Sequence, residues 1–422
     1  MNGSAWQSDL LLAQQWFDQN RGDEAYAIAT GVLAEHPACA EALEIVGIVQ
    51  SRRLQVDAAI ETLEHALRIR CDLIPAHSFL GLLYQSRGEI QRAIRVFDQG
   101  LVLDPAHAHI RFNRALSLLK LARFDEGWIE YEWRWKAAAV PRPEIPLPRW
   151  DGSSLEGRSI LIHTEQGFGD TFQFIRFLPR LQQLGATVWL AVQKPLSLLL
   201  REIDGVDHWM PVDEPAPIAF DLYSPLLSLP AVLQLNHPDQ FRASTPYLHA
   251  EPDRIEKWRD RIGNLPGRKI GIGWQGSPTF KGDVWRSIPL SLFSALAEVD
   301  DVTLVSLQKH DGLTQLGESD AAFPLTRFDD LDQDGAFLDT IAVIQHLDLV
   351  VTSDTALAHL AGAAGVPVWC LISTACDWRW MTQRGDTVWY DSMRLFRQQK
   401  LGEWEPVFAE VVAELQRSGI GK

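Results

Sequence analysis

The chain has 422 residues, 46% hydrophobic and 22% charged, enough for two or three domains with sizeable cores. Its 39 Lys and Arg against 55 Asp and Glu leave a net charge of −16, which argues against sequence-independent nucleic-acid binding, because that relies on neutralising phosphates with basic residues. Any anionic ligand must instead be held by locally placed cations and backbone dipoles. Four cysteines, Cys39, Cys71, Cys370 and Cys376, form no Cys-x-x-Cys pair and no metal-type spacing, which predicts reduced thiols in a cytoplasmic protein. Met1 to Leu12 lacks a basic region followed by a long apolar core, so no signal peptide is expected. His359 and Pro367 interrupt the longest apolar stretch, around Ala356 to Ile372, so no membrane span is expected either.

Residues 1–137 superimpose on themselves at a spacing of 34. One column is Ala13, Gly47, Gly81, Ala115; a second is Ala25, Ala59, Ala93, Gly127; a third is Pro37, Cys71, Pro105. Small residues recur where two helices approach closely, and proline recurs where the second helix ends. Apolar spacing such as Ala59, Ile60, Leu63, Leu67 is helical. The pattern resembles the tetratricopeptide repeat (TPR), about four helix pairs whose concave side in that family holds peptides or protein segments. A spacer or dimerisation element is the plainer alternative. The inner-face column Leu11, Ile45, Phe79, Asn113 supplies one asparagine only, and so departs from the asparagine ladder of the O-linked N-acetylglucosamine transferases.

From Trp128 the composition turns Trp-rich (Trp133, Trp135) and then proline-rich (Pro141, Pro143, Pro146, Pro148), which predicts a stiff connector over 138–158, with the tryptophans packing the array against the next domain. Strand–loop–helix units come after it. Ser159–His163 and Thr187–Val192 read as strands of a first half, 159–250. After a linker at 251–268, a second half over 269–400 begins at Lys269. It continues with strand Val302–Leu307, helix Asp339–Gln345, strand Leu347–Val351, helix Thr355–Ala364 and strand Val366–Leu371. Residues 401–422 read as a terminal helix packing back on the first half. Alternating strands and helices imply parallel sheets, with ligands beyond the carboxyl ends of the strands.

Three loops carry chemistry. Gly167-x-Gly169-Asp170 comes after the first strand; Phe172 stands where a dinucleotide fingerprint needs a third glycine, so the loop offers chiefly a carboxylate, Asp170, as a general base. A helix N-cap is the ordinary explanation of such an Asp. The loop from Trp274 and Gln275 to Arg286 is polar and cationic, with Lys281 and Arg286 able to neutralise a diphosphate and Ser277 and Thr279 adding hydroxyls. In the third, a strand ends at Ser353, and Asp354 and Thr355 precede a helix whose N-terminus attracts anions. Ala356 and Ala358 would let phosphate or sugar come close, and His359 is balanced between packed core and ligand contact. Beyond the next strand stand Asp377, Trp378, Arg379, Trp380 and Arg384, with the arginines as phosphate candidates. The run Asp329-Asp330-Leu331-Asp332 reads as a solvated loop rather than a metal site.

These loops resemble the heptosyltransferases, glycosyltransferase family 9, and the whole chain resembles bacterial proteins that fuse TPR repeats to such a domain. The anchors are Gly169-Asp170, Trp285-Arg286-Ser287-Ile288-Pro289 and Ser353 to Leu360. The resemblance implies an α-helical TPR solenoid followed by an α/β GT-B fold, two Rossmann-like domains facing a cleft. It further implies Asp170 as catalytic base, Arg286 and Lys281 on donor phosphate, and Asp354, Thr355 and Ala356 around the diphosphate and sugar. Ala356 replaces a usual glycine, and Gln308-Lys309 stands near where the family places a ribose-binding acid, so donor identity stays open. The expected reaction is inverting, metal-independent transfer from a nucleotide-diphosphate sugar, with no cofactor. The expected acceptor is a protein on the concave TPR face, such as flagellin or a surface protein. Transfer onto a saccharide or lipid-linked glycan, or a scaffold with an inactive transferase half, are the alternatives.

Overall fold

The computed structural model describes residues 5–137, 145–214, 220–317 and 323–418. The chain forms two compact units, Met1–Arg142 and Pro143–Lys422.

The first unit is a run of antiparallel helix pairs: α1 (Ala5–Asp18) with α2 (Gly22–Glu35), α3 (Ala40–Arg52) with α4 (Val56–Ile69), α5 (Ile74–Ser86) with α6 (Ile90–Leu103), and α7 (Ala108–Lys120) with α8 (Phe124–Tyr131), closed by the short α9 (Arg134–Ala137). The small-residue columns do what their spacing predicts. Ala25, Ala59 and Ala93 have no exposed surface, and a Cβ on Gly81 would run into the ring of the fully buried Phe97. The inner-face column is not a uniform ladder: Leu11 is 72% exposed while Ile45 is 1% exposed, because Ile45 packs into the core. Trp128 stacks on Phe124 and meets Tyr131 edge-on, so this tryptophan serves the array's own core.

The second unit holds two fully parallel sheets. The first is built from β1 (Ser159–His163), β2 (Thr187–Val192), β3 (His208–Pro211) and β4 (Leu222–Pro225) in the order β3-β2-β1-β4. The crossover from β1 to β2 carries α10 (Phe168–Phe174) and α11 (Leu178–Gln183), and α12 (Leu229–Val232) comes after β4. Next are α13 (Pro252–Gly263) and the second sheet, β5 (Arg268–Gly273), β6 (Val302–Ser306), β7 (Leu349–Ser353), β8 (Val368–Ile372) and β9 (Met393–Arg397), ordered β6-β5-β7-β8-β9. Its helices are α14 (Asp283–Arg286), α15 (Ser294–Ala297), α16 (Leu338–Ile344), α17 (Ala356–Ala363) and α18 (Glu405–Arg417). Two Rossmann-like domains in series, preceded by a TPR-type array, make a GT-B-like arrangement. Strand order reverses between β1 and β4 in one sheet and between β5 and β7 in the other. Those reversals open crevices at the carboxyl ends of β1, β5 and β7, where the three chemical loops emerge.

From residue 145 onward the proline-rich connector packs as part of the α/β unit: Trp150 and Leu155 are buried, and Ile145 and Leu147 pack on Leu161, Met210 and Tyr223 of the first sheet. Pro141 and Pro143 lie outside the described residues. Three expectations change. The linker at 251–268 is largely α13, held by Trp258 and Ile262 against α16. The terminal helix α18 does not return to the first half. Val407, Phe408, Val411 and Leu415 form one apolar stripe that packs on Ile270, Phe293 and Leu296 of the second half. The acidic run is tied down rather than solvated: Asp330 forks onto Arg261, and Asp332 caps the start of α16 by accepting from the Asp339 and Thr340 amides at 2.7 and 2.9 Å.

Candidate active site

The loop after β1 turns at Gln166 (φ +62°), not at a glycine, and α10 begins at Phe168. Gly169 serves proximity instead. A Cβ there would stand 2.9 Å from His359 Cδ2 and 3.3 Å from Ala356 Cα, so only glycine lets α10 and α17 meet end against end. Asp170 sits in the first turn of α10, where Oδ2 accepts from the Gly167 amide at 2.9 Å. Its Oδ1 is ion-paired with Arg379 Nη2, a residue of the other half. The Arg379 guanidinium, 7% exposed, is held by two more acceptors: Gln173 Oε1 and, at 2.9 Å, Asp377 Oδ1. Burial pushes the Asp170 carboxyl above its ordinary pKa, and Asp377 adds to this; Arg379 and the Gly167 amide oppose it without cancelling it. Asp170 is therefore a stronger base than a solvated aspartate.

On the facing side, β7 is buried throughout and ends at Ser353. The helix α17 starts with no side-chain cap: Thr355 is the N-cap residue, but its hydroxyl does not cap. Its first amides and dipole are thus left available to an anion. Arg286 braces this start, donating to the Asp354 carbonyl at 2.8 Å and to Asp283 Oδ1 at 3.0 Å, with its guanidinium 4.7 Å from the Phe280 ring centre. Gly276 is required beneath it, since a Cβ would collide with Arg286 and Asp283. Burial, together with the neighbouring Asp377, raises the pKa of Asp354 against the pull of Arg286 and Arg379. Three carboxylates (Asp170, Asp354, Asp377) and two guanidiniums (Arg286, Arg379) therefore share one crevice.

Other predicted residues lie elsewhere or do different work. His359 is a packed histidine: its ring stacks on Trp380, Nδ1 meets the Tyr390 hydroxyl at 3.0 Å, and burial holds its pKa well below the usual value. Trp274 is fully buried, with Nε1 donating to the Gly312 carbonyl at 3.1 Å, so its ring belongs to the core rather than the crevice. Gln308 is a loop clamp, its amide bonded to the backbone of Trp274, Gln275 and Asp311. The Gln275 side chain is taken up by Gln315, and Lys309 by the Leu331 carbonyl. Lys281 is exposed, and the Ser277 and Thr279 hydroxyls bond each other. Arg384 forks onto Asp386. Gly167 is exposed at the loop, and Thr355 and Ala356 are half-buried at the crevice.

The sequence reading missed Gln173 and the acidic role of Asp377. Gln173 lies three residues beyond Asp170 on α10 and so shares its face, a signal that was available. Asp377 was in view but overshadowed by its aromatic neighbours. Among the described residues, no three His, Cys, Asp or Glu side chains are grouped to hold a metal ion, and no helix is long and apolar enough to cross a membrane.

No family model matches the chain. It is 26% identical over 423 residues to Protein FlbA of Caulobacter vibrioides, spanning 94% of this chain and 70% of FlbA. Among solved structures it is similar to a mutant O-GlcNAc transferase from Thermobaculum terrenum (14% identity, 99% of this chain and 91% of that one, TM-score 0.38). It is also similar to a family 9 glycosyltransferase from Veillonella parvula (11% identity, 59% and 88%, TM-score 0.44).

Proposed function

We propose that the protein is an inverting, metal-independent glycosyltransferase that moves a sugar from a nucleotide-diphosphate donor to an acceptor hydroxyl. The observation that carries this reading is the meeting, at two facing strand-order reversals, of a half-buried base on α10 with the uncapped start of α17, which Arg286 of α14 braces. The diphosphate would lie on the first amides of α17 beside Arg286. Asp170 would take the acceptor's proton as that oxygen bonds to the anomeric carbon. The bond from that carbon to phosphate oxygen breaks with its electron pair, and the nucleotide diphosphate departs. Arg379 links the two events: paired with Asp170 at the outset, it is drawn toward donor phosphate, which frees the carboxylate when a sugar is present to receive the nucleophile.

The test is Asp170→Asn in the full chain, assayed with a panel of nucleotide sugars and by calorimetry with nucleoside diphosphates. Loss of transfer with retained diphosphate binding supports the reading; unchanged transfer removes Asp170 from the chemistry.

The acceptor assigned to this reaction is a protein recruited by the repeat array, flagellin or a surface protein being the kind expected in the cytoplasm. Removing residues 1–137 then abolishes modification of the protein acceptor, while donor hydrolysis by the remainder persists. The broken inner column, with Leu11 exposed and Ile45 buried, favours a second reading in which the acceptor is a saccharide or lipid-linked glycan and the repeats dock something else. Transfer to a free glycan by the truncated protein would select it.

A further inference from the structure

Outside the crevice, the first Rossmann-like half carries a cavity of about 690 Å³, within the size range of small-ligand sites. It runs along α11 and is walled by the turn at Ile203–Gly205 and the segment Arg242–Tyr247. Three arginines line it, Arg176, Arg180 and Arg242, and among the described residues none of them lies within ion-pairing distance of a carboxylate. The lining acid is Asp204, which is exposed.

Arg176 forms the floor. It is 5% exposed, yet its partners are neutral: the carbonyls of Gln173, Phe241 and Trp389 and the Tyr247 hydroxyl. Arg180 donates through Nη2 to the Gln240 carbonyl, and Arg242 is exposed at the mouth with Asp386 in its field. Ser244 adds a hydroxyl. In a chain of net charge −16, a buried cation with neutral partners beneath two more unpaired cations is a local field of the opposite sign.

We infer that this cavity is a binding site for a small phosphomonoester, distinct from the donor crevice, with Arg180 and Arg242 forking the phosphate oxygens above Arg176. The guanidinium fork matches phosphate geometry, and the remaining volume has room for a sugar-sized body beside the phosphate. Burial pulls the Arg180 pKa below its usual value, a cost to the cation that a bound anion offsets.

The experiment is titration calorimetry of the full chain with inorganic phosphate and with a hexose 1-phosphate. Arg180→Ala and Arg242→Ala should each weaken both ligands about tenfold, the loss of one charge-assisted bond. Arg261→Ala, which breaks the pair with Asp330 outside the cavity, should leave them unchanged, and the hexose 1-phosphate should bind more tightly than phosphate alone. Arg242 is exposed, so its replacement keeps the fold and the result readable even if Arg180→Ala does not fold. Absence of binding, loss of binding in the donor-crevice variant Arg286→Ala alone, or malonate binding as tightly as phosphate would overturn the assignment. None of these outcomes bears on Asp170, so failure here leaves the transferase reading standing.

Discussion

The two units solve the same problem at different ranges. In the repeat array, contacts recur one repeat on: Arg53 pairs with Asp23, and Arg87 with Asp57, each residue shifted by the 34-residue period. In the α/β unit the decisive bonds join distant segments, Asp170 to Arg379 across 209 residues and Arg176 to the Trp389 carbonyl across 213. A quasi-one-dimensional array writes its contacts into its period, so its fold can be read directly while its ligand cannot. The α/β unit hides its contacts, but its strand ends say where chemistry must be.

The sharpest way to break that contrast is Asp170→Asn, which should lower transfer about 10²- to 10⁴-fold in a single-turnover assay while leaving the repeat helices unchanged. A mutation in the array should behave in the opposite way. Phe97→Ala empties the space beside Gly81 and should cost about 3–5 kcal/mol, seen as a lowered first transition in thermal unfolding. If the α/β transition fell by the same amount, the two units would not be energetically separate. Arg379→Gln tests the long-range pair itself. Arg379 holds the Asp170 pKa down against burial, so its loss raises that pKa further and should shift the acid limb of kcat/KM to higher pH. A limb that stayed in place would show that Arg379 does not act on the base. The smallest effect is expected at Arg261–Asp330. Asp330 is lowered to about 2, so the pair's stabilisation is complete above the ordinary carboxylate pKa and is lost as pH falls toward 2. Because the Asp330 side chain is 42% exposed, Asp330→Asn should cost under about 1 kcal/mol in denaturant titration at neutral pH.

Much of the architecture was legible because hydrophobic period is local. The strands Ser159–His163 and Thr187–Val192 have the boundaries read from sequence, and α17 differs by one residue at each end. β3, β4 and β9 escaped notice: the first two are four residues each and end in proline, and the third interleaves Arg394 and Arg397 with its apolar residues. α13 was mistaken for a linker because it is dominated by charge and buries only Trp258 and Ile262. At the site, Asp170, Arg286 and the α17 start could be picked out by loop position. The roles of His359, Trp274 and Gln308 could not, since each is decided by a partner far along the chain: Tyr390, Gly312 and the Trp274–Gln275 backbone.

The end-to-end approach of α10 and α17 at Gly169 has a consequence for fidelity. An activated sugar is prone to attack by water, the most abundant nucleophile in the cell. Two helix ends separated by less than a methyl group leave no standing room for solvent there. A donor lying on the first amides of α17 is therefore walled off from water on the Gly169 side. In the proposed reaction this biases the outcome toward transfer over hydrolysis, and Gly169→Ala should reveal it as a rise in the fraction of donor lost to hydrolysis.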